Sequence, residues 1–131
     1  MKELTDIVYF ESNFGDYGHP FLMFANDHKL SGRIVQTLTE LELSLNKDLF
    51  GRVYLVGVND TETAAYAVDI IRNFDHRPSN IILFSRDYKM ERIARELNAM
   101  HMNKNDGFRQ VLDYAKDYIG KIRLLEAQLG H

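Results

Sequence analysis

The chain has 131 residues, of which 16 are basic, 19 are acidic and none is cysteine. This length suits a single domain over residues 1–131, and the lack of cysteine excludes disulfides, thiolate nucleophiles and cysteine-ligated metal centres. A formal net charge of -3 gives no electrostatic reason to expect nucleic acid or an anionic membrane as a partner. No apolar run approaches the roughly 20 residues that span a bilayer, so we expect a cytoplasmic protein without a membrane partner.

The first two predicted elements are strands. DIVYFES, residues 6–12, and FLMFA, residues 21–25, are short and rich in apolar, aromatic or β-branched side chains. The segment FGDYGHP between them leaves room for a turn, but not for a crossover helix of about a dozen residues. The sequence therefore predicts that the N-terminal strand is antiparallel and lies at an edge of the sheet.

Further along the chain, apolar runs alternate with segments of helical periodicity. The runs RVYLVGV, NIILF and AMHM are typical of parallel strands that are buried on both faces. Apolar residues at steps of three and four predict helices from Asp27 to Leu45, Thr61 to Phe74, Met90 to Met100 and Phe108 to Leu129. This alternation predicts a three-layer, doubly wound, mostly parallel α/β sheet of the flavodoxin-like or Rossmann-like type.

Aspartates stand where each predicted helix begins. They are Asp27, Asp60, Asp87 and Asp106. At the carboxyl ends of parallel strands they could bind Mg²⁺ or another hard cation, or each could accept an N-cap hydrogen bond worth about 1 kcal/mol. Asp27 is the candidate metal ligand, because Asn26 precedes it and Ser31 offers the helix another cap. Apart from Mg²⁺, we expect no cofactor.

Several stretches resemble the receiver domain of response regulators. FLMFANDHKLSGRIVQTL resembles its opening, with Asn26 and Asp27 at the acidic pair, and the stretch up to NIILFS then puts Ser85 at the phospho-accepting aspartate. In a second register, NIILFS and AMHMNKNDGFRQVLDYAK match the last two strand–helix units of the family. Ser85 is then the switch hydroxyl, Lys104 is the phosphate-contacting lysine, and the acceptor position falls around Gly57.

Neither register has an acceptor carboxylate, and neither fits ten elements into the chain, so one strand–helix unit would be missing or altered. The resemblance therefore implies a phosphorylation-incompetent receiver, or pseudo-receiver. Such a module is non-catalytic and acts in signal transduction through protein–protein interaction. Its binding edge would contain Asn26, Asp27, Asp60, Ser85, Asp87 and Lys104.

Three other interpretations of the sequence stay open. Glu11, Asp69 and Asp87 resemble the dispersed acidic positions of a PIN-type ribonuclease, which holds metal for phosphodiester hydrolysis. GRVYLVGVNDTETAAYAVDII resembles a degenerate Rossmann nucleotide-binding unit, although the residues after Gly57 are larger and more acidic than a phosphate-binding loop needs. HKLS, residues 28–31, falls at the active-site position of a thioredoxin-like fold, which would be redox-inactive here.

The predicted C-terminal helix, about residues 108–129, extends beyond the sheet. It would be roughly 33 Å long, whereas a strand of six residues spans only about 20 Å. The overhang carries a set of apolar residues, Ile122, Leu124, Leu125 and Leu129. Such a stripe predicts a homodimer or the docking of a partner helix. Alternatively, Gly120 breaks the helix and the last turns fold back or fray.

Overall fold

The computed structural model of the protein describes residues 3–11, 17–47, 49–75, 80–104 and 107–129. Strands and helices alternate along the chain. The strands are β1 (Glu3–Glu11), β2 (Gly32–Val35), β3 (Leu49–Gly57), β4 (Asn80–Ser85) and β5 (Met100–Asn103). The helices are α1 (Gly18–Asp27), α2 (Leu38–Lys47), α3 (Thr61–Phe74), α4 (Lys89–Glu96) and α5 (Phe108–Gln128).

The five strands form one sheet in the order β2-β1-β3-β4-β5, and every neighbouring pair is parallel. This is the flavodoxin-like order of a doubly wound fold, so the predicted fold class is confirmed. All five strands end at the same side of the sheet, which we call the carboxyl edge. Their opposite ends form the amino edge.

Helices pack against both faces of the sheet. Each central strand contacts both helix layers, because its alternate residues point to opposite faces. Ile7 and Tyr9 of β1 pack against α1 and α5, whereas Val8 and Phe10 pack against α2, α3 and α4. The central strands β3 and β4 are therefore buried on both faces, as the runs RVYLVGV and NIILF predicted. The same prediction for the AMHM run is wrong, because no residue of the edge strand β5 is buried. None of the helices in the described part of the chain has the length and apolar character needed to cross a bilayer.

The prediction of an antiparallel N-terminal edge strand is wrong. β1 lies inside the sheet, between β2 and β3, and is parallel to both. The crossover that this arrangement requires is α1, which contains the FLMFA run that the sequence suggested was a strand. In that run Phe21, Phe24 and Ala25 are buried while Leu22 and Met23 are about half exposed, which is the periodicity of a helix.

The long helix predicted after Asp27 is also wrong, because a strand interrupts it. Gly32–Val35 form β2, and Ile34 therefore belongs to a strand although it lies four residues from both Leu30 and Leu38. A new helix then begins after Thr37, whose hydroxyl accepts a hydrogen bond from the Glu40 backbone N–H at 3.0 Å. With β2 and α2 in place the described residues form ten elements, with no strand–helix unit missing among them.

Candidate functional site

The carboxyl edge brings together four residues that are far apart in the sequence. Glu11 ends β1, Gly57 ends β3, Ser85 ends β4, and Lys104 follows β5 directly. Glu11 is paired with Gly57 across the β1–β3 ladder, and the next ladder pairs Gly57 with the residue before Ser85. The central strands therefore hold these side chains in one row, where doubly wound folds usually bind ligands.

A buried ion pair occupies the centre of this row. The Lys104 Nζ lies 3.0 Å from the Glu11 Oε1, and the two side chains are only 6% and 5% exposed. The Tyr9 hydroxyl donates a second hydrogen bond to the same oxygen at 2.9 Å. The Lys104 ammonium also lies 5.6 Å from the ring centre of Tyr17 and 5.5 Å from that of Phe84. Both charges thus have partners, which buried charges require.

The surroundings of the Tyr9 hydroxyl keep it in its neutral form. Burial raises the pKa of this hydroxyl well above its usual range, and the neighbouring Glu11 carboxylate raises the pKa further. Because the hydroxyl keeps its proton, it remains a donor to the carboxylate. Tyr9 and Lys104 therefore both stabilise the negative charge of Glu11.

Gly57 is the residue that makes room for the Glu11 carboxylate. A Cβ atom at position 57 would lie 1.9 Å from the Glu11 Oε1 and 2.7 Å from its carboxyl carbon. Real Cβ contacts are not this short, so no other residue fits here while Glu11 keeps its position. The space where a side chain at the end of β3 would begin is filled by the carboxylate of β1.

Ser85 and Asp87 shape the turn from β4 into α4. Ser85 is fully buried, and its Oγ accepts a hydrogen bond from the Asp87 N–H at 3.0 Å. The Asp87 Oδ1 in turn accepts from the Lys89 N–H at 2.9 Å, in the first turn of α4. Both side chains therefore hold the backbone, and Asp87 satisfies an N–H that a helix start leaves without a partner.

The other predicted aspartates do not join the row. Asp60 caps α3: its Oδ2 accepts from the Thr63 N–H and hydroxyl, both at 2.9 Å. Asp27 and Asn26 are exposed at the end of α1, a helix that runs from the carboxyl edge towards β2, so they do not stand at a strand end as the sequence suggested. Asp106 lies outside the described residues.

We expect Asp60→Ala to lower the free energy of unfolding by about 1 kcal/mol, with Asp60→Asn losing less because an amide oxygen can still accept. The bonds from Thr63 lower the pKa of the Asp60 carboxyl. The contribution of the carboxylate is therefore complete above the unfolded pKa of about 3.9 and lost as the pH falls through the folded pKa. Urea unfolding of the three proteins, near neutral pH and in acid, measures both effects. Equal stability near neutral pH would contradict the cap.

The acidic residues of the nuclease interpretation are not assembled into a site. Glu11 is paired with Lys104, Asp69 is exposed on α3, and Asp87 accepts a hydrogen bond from the first N–H of α4. Among the described residues, no group of three or more histidine, aspartate or glutamate side chains could hold a metal ion. The described residues therefore form no such group of ligands at Asp27 or at the acidic residues of the nuclease interpretation.

A second polar cluster, at the amino edge, was not anticipated from the sequence. The fully buried Asp6 accepts hydrogen bonds from the Ser31 N–H at 2.9 Å, from Arg52 at 2.8 Å and from Arg123. Arg52 also binds Glu126 with two nitrogens, at 2.6 and 3.0 Å. Asp6, Arg52, Arg123 and Glu126, which we call the amino-edge latch, tie the end of α5 to β1 and β3. The helix continues through Gly120 without a break.

Comparison with known proteins extends the description of the fold. No protein-family model and no curated protein matches the chain. A de novo designed protein with the Rossmann 2x3 fold, solved by solution NMR, is similar with a TM-score of 0.63 and 13% identity over 97% of this chain and 95% of its own. An adenylate cyclase from Rhodopirellula baltica is similar with a TM-score of 0.63 and 11% identity over 98% of each chain. These likenesses show the fold alone.

The designed protein makes the limit of such a likeness clear. Its fold was specified without reference to any activity of this chain, yet it superimposes as well as the natural protein does. One doubly wound architecture can carry many activities, and the activity depends on the groups at the strand ends. The function of this chain must therefore be argued from the row of Glu11, Gly57, Ser85 and Lys104.

Proposed function

We propose that the protein is a non-catalytic signalling module, a pseudo-receiver that acts by binding other protein chains. The observation that carries this proposal is the pairing of Glu11 with Gly57. In the second register of the receiver resemblance, the acceptor carboxylate would stand at Gly57. This chain has no side chain there, and the carboxylate of Glu11 fills the space instead.

The contacts of the neighbouring Lys104 and Ser85 support the same conclusion. The ammonium of Lys104, the lysine of that register, is buried against Glu11 at 3.0 Å. The hydroxyl of Ser85, the switch residue of that register, is fully buried and accepts from the Asp87 N–H. An incoming phosphoryl group would have to displace the buried, hydrogen-bonded Glu11 carboxylate to reach the Lys104 ammonium, at a cost of several kcal/mol.

An interaction role needs surfaces, and α5 provides one. Leu124, Leu125 and Leu129 are exposed at its end, while Ile122 is half-buried. Apolar side chains grouped on a surface are typical of protein-binding sites. The module would thus bind a protein partner or a second copy through α5, while Glu11 and Lys104 at the carboxyl edge stay paired with each other.

Incubation with acetyl phosphate and Mg²⁺ should leave the mass of the protein unchanged, because the chain lacks an accessible acceptor carboxylate at the end of β3. Intact-mass spectrometry measures this directly. A receiver domain that has its acceptor aspartate, treated in parallel, shows that the reagents are active. A stable phosphoryl adduct on this chain would contradict the proposal.

The nuclease interpretation predicts an enzymatic activity that can be measured with the same purified protein. It requires that Mn²⁺ or Mg²⁺ supports cleavage of single-stranded RNA and that Asp87→Asn abolishes the cleavage. We expect no metal-dependent cleavage, because Glu11 is paired with Lys104, Asp87 binds the start of α4 and Asp69 lies exposed on α3, so the three do not form one site. Cleavage that is lost in Asp87→Asn would replace the pseudo-receiver with an enzyme.

A further inference from the structure

Three large, exposed apolar side chains lie close together in the sequence at the end of α5. Leu124, Leu125 and Leu129 are 61%, 54% and 72% exposed. They provide three of the nine large, exposed apolar residues in the described ranges, within a single stretch of six positions. Exposed leucines scattered singly are ordinary, but a group of this density indicates a contact surface.

Two of these leucines continue an apolar row along α5, which we call the seam. The seam consists of Val111, Ala115, Tyr118, Ile122, Leu125 and Leu129. Its steps alternate between four and three residues, which is the heptad pattern of a coiled coil. Leu124 does not belong to this pattern. The surface therefore contains a leucine pair that fits a partner helix and a neighbouring leucine that does not.

Burial decreases steadily along the seam. Val111 and Ala115 are fully buried against the sheet, Tyr118 and Ile122 are half-buried, and Leu125 and Leu129 face solvent. The first part of the seam belongs to the core of the domain. The second part keeps the same spacing while its leucines lie exposed to solvent, so its apolar row is available to a helix from outside the domain.

The amino-edge latch fixes the direction in which the exposed seam points. Arg123 is bound to the buried Asp6, and Glu126 is bound to Arg52, so the side of α5 that carries these two residues faces the domain. At 100° per residue, Leu125 and Leu129 lie on a flank of the helix and remain accessible. Because this helix is already folded and oriented, a partner helix needs little further ordering to bind it.

We propose that the exposed part of the seam binds the same seam of a second copy of this chain, with the two α5 helices parallel. Leucine against leucine makes the contact self-complementary, as a two-fold interface must be. In the parallel arrangement Lys121 of one copy lies beside Glu126 of the other, and opposite charges at these flanking positions favour it. The Glu126 side chain, which binds Arg52, is 38% exposed and so lies within reach of a second copy.

The proposed contact is short, and its strength follows from its size. Interfaces that bury less than about 1,200 Å² are typically weak, so we expect a dissociation constant on the order of 100 µM. The inference rests on the proposed function only in giving the module one partner, a second copy. The geometry of the seam does not depend on whether the carboxyl edge accepts a phosphoryl group.

Sedimentation of the full chain tests the seam with a matched pair of variants. The wild type should shift from monomer towards dimer at high micromolar concentration. Leu125→Glu should raise the dissociation constant at least about tenfold, because it places two like charges in the desolvated seam. Leu124→Glu adds the same charge at a similarly exposed neighbour outside the heptad pattern, and should leave the constant unchanged within about twofold. Circular dichroism checks that both variants fold.

Cross-linking tests the parallel orientation. The chain has no cysteine, so Leu129→Cys introduces a single thiol. In a parallel pair the two introduced thiols face each other and should form a disulfide-linked dimer under oxidised glutathione. Leu124→Cys, with its thiol off the seam, should cross-link far less. Equal cross-linking of the two variants would overturn the seam.

The remaining outcomes also decide the matter. A monomer at every concentration, without a cross-link through position 129, overturns the second copy as the partner. If Leu124→Glu raises the dissociation constant of the dimer as much as Leu125→Glu does, the heptad register is wrong. Either result, combined with an unchanged mass in acetyl phosphate, leaves the proposed function intact and removes only this inference.

Discussion

Lys104→Met is expected to lower the free energy of unfolding by about 3–5 kcal/mol, because it leaves the Glu11 carboxylate buried without its cation. The side chain of Glu11 is only 5% exposed, so water cannot replace the lost ammonium where it stands. Methionine has a similar length, which keeps the loss of packing small. Urea unfolding near neutral pH, with the slope held equal between variants, measures the difference.

Two further variants show whether charge is the cause. Lys116→Met makes the same exchange on the exposed face of α5 and should change stability by no more than about 0.5 kcal/mol. Glu11→Gln combined with Lys104→Met removes both charges and keeps an oxygen that can accept from Tyr9. The double variant should be more stable than Lys104→Met alone. If it is less stable, the uncompensated charge is not what makes the single variant unstable.

Gly57→Ala should cost on the order of 3 kcal/mol or more, which is unusual for the addition of one methyl group. The new Cβ would lie 1.9 Å from the Glu11 Oε1, so the carboxylate has to leave its position beside Lys104. Overpacking and the loss of a buried ion pair then act together. Thermal or urea unfolding measures the loss, and a shift of the Lys104 side-chain resonances in NMR would report the broken pair.

Gly120→Ala is the matched control for this prediction. Gly120 lies inside α5, and a Cβ there meets nothing within 4 Å. Alanine should therefore stabilise the protein by about 0.5–1 kcal/mol, as it does in exposed helix interiors. In a Glu11→Ala background the clash is removed, and Gly57→Ala should then cost much less than in the wild type. Equal costs in the two backgrounds would show that Glu11 is not the obstacle.

The second half of the fold could be predicted from the sequence because its signals are local. β3 and β4 are buried on both faces and read as unbroken apolar runs, and Asp60 marks the start of α3 with a side-chain cap. The first half gives ambiguous signals. Five consecutive apolar residues in α1 look like a strand, and β2 is a short edge strand with Gly32 and Arg33 exposed. Tertiary pairing with β1, and not local pattern, makes Gly32–Val35 a strand.

Only part of the candidate site could be predicted from the sequence, for the same reason. Ser85 and Lys104 could be identified because each follows a recognisable strand in a familiar order. The relation between Glu11 and Gly57 depends on two strands becoming neighbours, and no spacing in the sequence states it. Likewise nothing local in the sequence indicated that Arg52 and Arg123 would reach Asp6.

The amino-edge latch has a consequence for how the chain acquires its structure during synthesis. Asp6 lies in the first strand, whereas its partner Arg123 lies near the end of the last helix. During translation Asp6 is added to the chain early, whereas Arg123 is added only when nearly all of the described residues have been synthesised. The first strand therefore cannot complete its contacts during elongation. We expect nascent chains that stop at Gly120 to stay sensitive to proteases, and chains that include Glu126 to become resistant.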